Sequence, residues 1–142
     1  KKTNLVSDVH ILNHFDDIFV VFVMGGYFLR YNILHKKVFF LSQTIVPVDF
    51  PEVEQPNPYV MRISPERKIS AFSASIADGK LMIFSYRALQ QSIADFYSLK
   101  QGRYKFSVML ERKYLDLRYH SERIYSLYKQ GVDIYAVENG SD

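Results

Sequence analysis

Apolar and polar residues alternate along most of this chain in short runs broken by glycine, asparagine, aspartate or proline, the pattern of strands and turns rather than helices. Ile18 to Met24 is an unbroken β-branched and aromatic run, Gly25-Gly26 supplies a turn, and Tyr27 to Leu34 alternates, so the three segments predict a hairpin. Val38 to Ile45 predicts a further strand after His35-Lys36-Lys37. Lys68 to Ile76 and Lys80 to Tyr86 flank Ala77-Asp78-Gly79, and Asp-Gly between two β-rich runs is a strong hairpin signal. Arg103 to Leu110 and Tyr114 to Tyr119 read as strands, and Arg123 to Tyr128 with Val132 to Val137 predicts a third hairpin around Lys129-Gln130-Gly131.

Two segments break this rhythm. Arg87 to Leu99 contains good helix formers, with Leu89, Ile93 and Phe96 at offsets of four and three, which predicts one short helix ended by Gly102. Val46 to Pro58 holds all but one of the five prolines, so it predicts an exposed connection. Tyr59 to Ile63 then opens a second unit, turned by Ser64-Pro65-Glu66-Arg67.

A weak repeat organises these elements. The runs GYFLRYNI from Gly26, GKLMIFSY from Gly79 and GVDIYAVE from Gly131 start 53 and then 52 residues apart. The third and fifth residues after each glycine are apolar: Leu29 and Tyr31, Met82 and Phe84, Ile134 and Ala136. A period near 50 points to blade-like units. The expected fold is all-β, a partial β-propeller of about three four-stranded antiparallel blades with one short helix in a loop, the units lying near residues 5–45, 59–110 and 114–142. The three glycines are expected in equivalent turns between second and third strands. Closure takes about four to eight blades, so the missing ones are expected from the rest of the polypeptide, from other copies or from a partner. A chain that begins with Lys1 rather than methionine is expected to be part of a longer or processed polypeptide.

The segment ISPERKISAFSASIADGKLMIF, Ile63 to Phe84, resembles the WD40 pattern of a serine-containing turn, a small-residue strand, an Asp-Gly turn and an apolar strand. HFDDIFVVFVMGGYFLRYNI and YHSERIYSLYKQGVDIYAV resemble it more loosely. The resemblance implies propeller blades, with Asp78 as the turn aspartate and Ser70 or Ser73 as its hydroxyl partner. The chain has no tryptophan, so the Trp-Asp pair that ends the third strand in that family has no counterpart here.

Composition, with 48% hydrophobic and 23% charged residues, is that of a globular domain. With no cysteine, disulfides and thiolate metal sites are excluded. The longest apolar run, seven residues, is too short to span a bilayer as a helix. The net charge is +3; residues 1–61 carry 5 basic and 6 acidic side chains, whereas residues 62–142 carry 13 and 9, a mild bias better read as a solvated surface than as a nucleic-acid footprint. His10, His14, His35 and His120 lack metal-ligand spacing, and Ser121 between His120 and Glu122 is adjacency without triad geometry. No phosphate-cradling or dinucleotide signature is present, so neither a cofactor nor a catalytic residue is expected.

Two surface features point to partners. Asp49, Phe50, Glu52 and Glu54 place an aromatic among acids and prolines, as docking loops do, and are the expected protein-binding residues. Arg103, Lys105, Arg112, Lys113, Arg118 and Arg123, interleaved with Tyr104, Tyr114 and Tyr119, form a possible basic surface for RNA or an anionic membrane; strand alternation predicts instead that the tyrosines face inward and the cations outward. The expected function is a non-catalytic protein-interaction scaffold that holds other subunits. The alternatives are a propeller-type lectin, for which the absence of tryptophan is unfavourable, and a viral or cellular structural protein acting through its basic half.

Overall fold

A computed structural model describes residues 8–49, 52–64, 68–87 and 90–138. These residues form thirteen β-strands and no α-helix, in four antiparallel sheets that make an open arrangement. The first sheet is a meander of β1 (Val9–His14), β2 (Asp17–Phe22), β3 (Tyr27–Asn32) and β4 (Lys37–Gln43). A separate hairpin follows, β5 (Val53–Asn57) with β6 (Val60–Ile63). The middle sheet is the meander β7 (Ser73–Ala77), β8 (Lys80–Arg87), β9 (Gln91–Ser98) and β10 (Tyr104–Met109). The last sheet has three strands, β11 (Asp116–His120), β12 (Arg123–Tyr128) and β13 (Gly131–Ala136).

The sheets stack through their first strands: β1 lies against β7, and β7 against β11. Successive residues of a strand point to opposite faces, and β8 uses both. Leu81 and Ile83 join Phe19, Val21, Phe28 and Tyr97 in one core, shared with the first sheet. Met82 and Phe84 join Phe96, Leu117, Tyr119 and Ile124 in a second core, shared with the last sheet.

Short polar side chains tie the stacked strands where a bulkier residue would hold them apart. Ser73 Oγ donates to the Leu117 carbonyl at 3.2 Å, the Tyr119 amide donates to Ser75 Oγ at 3.0 Å, and the Glu122 amide donates to the Asp78 carboxylate at 2.8 Å. Toward the first sheet, Ser70 Oγ accepts from the Gly26 amide at 3.0 Å and lies 3.1 Å from the Val23 carbonyl. The Ser73, Ser75 and Ser70 ties satisfy backbone groups that stacking would otherwise strip of water, while the Asp78 tie lies at the exposed rim.

Several expectations are corrected. The helix at Arg87 to Leu99 is absent: Arg87 ends β8 and residues 91–98 are β9, while Ala88 and Leu89 lie outside the described residues. β9 is covered on both faces, so apolar residues recur without the period of two that marks a half-exposed strand, and Ile93 and Phe96 mimic helical spacing. Val46 to Pro58 is not wholly loop, because β5 lies within it and tolerates Pro56 in a two-stranded ribbon. Tyr59 to Ile63 supplies β6, which pairs with β5 and not with the middle sheet. The turn at residues 65–67 lies outside the described residues.

The three glycines are not equivalent either. Gly26 sits between second and third strands and Gly131 opens the third strand β13, but Gly79 lies between the first and second strands of its sheet. The turns that share a place are Phe15-Asp16, Asp78-Gly79 and Ser121-Glu122, each joining a first to a second strand, with φ of 51°, 50° and 47° at the leading residue.

Gly102 has φ +65°, and a Cβ there would lie 2.6 Å from the Phe40 ring and 2.3 Å from Ser42 Oγ, so only glycine lets the β9–β10 turn rest on β4. Gly79 has φ +71° with nothing within 4 Å. Gly102→Ala is expected to lose about 2–4 kcal/mol, from backbone strain plus overpacking, and Gly79→Ala about 1 kcal/mol from strain alone. Urea unfolding of the two variants checks this; equal losses would show that the Gly102 contact contributes nothing.

Candidate functional site

The expected acidic docking residues lie between β4 and the first residues of β5. Asp49 is exposed beyond β4, Phe50 lies outside the described residues, and Glu52 precedes β5. Glu54 forms an exposed cross-strand ion pair with Arg62 at 2.9 Å. The apolar side chains presented here belong to the β5–β6 hairpin instead: Tyr59 at its tip is 95% exposed, and Val60 and Met61 follow it on β6. The clue in the sequence was Pro58-Tyr59 between two β-compatible runs.

Three of the expected basic residues have partners close by in the fold. Arg112 pairs with Asp133 at 3.3 Å and lies over the Tyr128 ring. Lys113 donates to Gln90 Oε1 at 2.7 Å and lies over Tyr86. Arg118 pairs with Asp116 at 3.0 Å and donates to the Ala74 carbonyl. Arg103 and Arg123 are exposed. Tyr119 on β11 is buried, and so is Tyr114, which precedes the strand because β11 begins only at Asp116, whereas Tyr104 is exposed.

Lys105 belongs elsewhere, to a cleft of about 500 Å³ between the first and middle sheets. This volume lies within the range of ligand pockets. Its floor is the Asp17–Arg30 ion pair at 2.7 Å. Burial alone would raise the Asp17 carboxyl, but hydrogen bonds from Arg30 and Asn32, with the Arg30 charge, outweigh it and hold the group below its ordinary value. Arg30 also donates to the Leu99 and Lys100 carbonyls, each at 3.4 Å, and so fastens the β9–β10 turn to the first sheet. Lys80 and Lys100 line the walls, and Phe15 stands at the edge. A β-bulge between Tyr104 and Phe106 adds Lys105 to the lining, as bulges re-aim side chains next to sites.

The terminal sheets each leave one face open. Across the first sheet a row of paired residues, Ile11, Val20, Leu29 and Leu41, lies opposite the core, with Ile11 and Leu41 mostly exposed. Across the last sheet Tyr125 pairs with Ile134 and Leu127 with Val132, and Leu127, Val132 and Ile134 are exposed.

The strongest proton-affinity shifts are structural. Burial pushes the Tyr97 and Tyr114 phenols far above their ordinary value; hydrogen bonds to Asp133 and Tyr135 push Tyr114 further. Burial and the Asp78 carboxylate push Tyr119 up to about 12. Among the described residues no group of three or more His, Asp or Glu is placed to hold a metal, and no helix is long and apolar enough to cross a membrane.

No protein-family model matches the sequence, and no curated protein is significantly similar to it.

The three buried tyrosines set an alkaline limit. Below pH 10 these phenols are protonated in both states and their contribution is fully present. Above pH 10 the unfolded phenols ionise first, so stability is lost as pH rises through about 12, by about 1 kcal/mol per phenol for each pH unit above 10. Urea midpoints at pH 8, 10 and 11, with tyrosinate absorbance, check this; a midpoint unchanged to pH 11 would refute it.

Proposed function

We propose that the chain is an arc of a β-propeller that works as a non-catalytic scaffold, holding other protein subunits by its open faces. One observation carries this reading: the middle sheet is covered on both sides, while the first and last sheets each keep an apolar face bare. Successive antiparallel meanders stacked through their first strands are what propeller blades require. The WD40-like resemblance draws support from Asp78, whose carboxylate ties the first turn of one sheet to the next sheet. Side chains with strongly raised proton affinity sit inside the cores rather than in the cleft, which favours binding over chemistry.

The open faces are the two ends of one repeated contact. The bare face of the last sheet is the side on which the preceding sheets receive a successor, and the bare face of the first is the side that sheets present to a predecessor. A further sheet of this kind, or a second copy head to tail, therefore fits between them, a heterologous contact that builds rings or chains.

The isolated chain is expected to self-associate in sedimentation velocity. Ile11→Lys on the first sheet or Ile134→Lys on the last should each abolish assembly without unfolding, since both side chains are exposed. Mixing the two variants should restore a dimer, because each retains the face the other lacks. A monodisperse monomer of the unaltered chain would overturn this assembly.

A further inference from the structure

We infer that the cleft between the first and middle sheets binds a short acidic segment of a partner protein, with its carboxylates on Lys80, Lys100 and Lys105 and an apolar side chain on Phe15. The inference rests on the scaffold reading only in taking a protein as the ligand.

Phe15 is the most telling residue. It occupies the first position of a two-residue turn at φ 51°, where Asp78 and Ser121 stand in the other two sheets. Aspartate tolerates that left-handed backbone, whereas a bulky aromatic is an outlier there. The ring is nonetheless 91% exposed, and its ring contact is with the edge of His14 at 4.6 Å. Folding gains little from a solvent-facing phenyl on a strained turn, and strain of this kind concentrates at ligand sites. Phe15 stands on the lining of the cleft of about 500 Å³ between the first and middle sheets.

The charge of the cleft selects the ligand. Arg30, Lys80, Lys100 and Lys105 face Asp17 and Asp78. Arg30 pairs with Asp17, and Asp78 keeps its charge while accepting the Glu122 amide, so Lys80, Lys100 and Lys105 outnumber the one remaining carboxylate and the lining is net positive. Low-dielectric walls focus such a field on an incoming anion. Single-stranded nucleic acid, the competing polyanion, is held by successive aromatic platforms. Here Phe15 is the exposed aromatic of the lining, the other being the buried Phe19. One apolar anchor among dispersed cations suits an acidic peptide with one large apolar side chain.

Fluorescence anisotropy on the full chain tests this with three labelled probes: a peptide of glutamates around one leucine, the same peptide with lysines for glutamates, and a short oligouridylate. The acidic peptide should bind alone of the three and weaken with rising salt. Lys80→Glu with Lys105→Glu should weaken it by about tenfold or more. Phe15→Asn should weaken it by about fivefold while raising the melting temperature, because asparagine tolerates the turn; a purely structural phenyl would give the reverse. Indifference to the acidic peptide, equal binding of the lysine peptide, tighter binding of oligouridylate, or undiminished binding by Phe15→Asn would each overturn the inference. A chain that stays monomeric yet binds the acidic peptide keeps this site and loses only the head-to-tail assembly.

Discussion

The middle sheet has two apolar faces, and a single layer of strands cannot cover both by itself. Leu81, Met82, Ile83 and Phe84 are four consecutive buried residues of β8, sent alternately into two different cores. Each such side chain stabilises the fold by roughly 1.5–3 kcal/mol when removed from water, and that gain is realised only if a sheet lies on each side. The first and last sheets are therefore conditions for the middle one. Their own outer faces carry exposed apolar residues, Ile11 and Leu41 on the first and Val132 and Ile134 on the last.

What fixes the stacking geometry is polar. Backbone groups of β11 would lose water without compensation if bulky side chains held the sheets apart; Ser73 and Ser75 are short enough to reach Leu117 and Tyr119 directly, and Asp78 adds an exposed tie to Glu122 in the next turn. On the other side Arg30 does a similar service at longer reach, joining Asp17 to the carbonyls of the β9–β10 turn. Gly102 lets that turn approach β4, and the bulge at Tyr104/Phe106 then adds Lys105 to the cleft. The cleft is thus a product of how the sheets meet rather than of any one segment.

This explains which parts were legible in the sequence. The β12–β13 hairpin announced itself by alternation and turn residues, and β2–β3 by an unbroken β-branched run, Gly25-Gly26 and the alternation of β3. β9 did not, because burial on both faces erases alternation and leaves Ile93 and Phe96 at helical spacing. The even glycine spacing misled, since the turns that share a place begin at Phe15, Asp78 and Ser121, and only Asp78-Gly79 carries a strong turn signature. The cleft draws on residues from His14 to Lys105, and nothing local in the sequence marks Phe15 or Lys80 as neighbours across two sheets.

Native-state hydrogen exchange, read segment by segment on the full chain, tests the dependence on the middle sheet most directly. Amides of β8 and β9 should be the slowest to exchange and should open only with global unfolding, while β4 and β13, at sheet edges, exchange first. If the first or last sheet outlasts β8 and β9, or if the three sheets exchange as independent units, the doubly covered sheet is not what holds this molecule together.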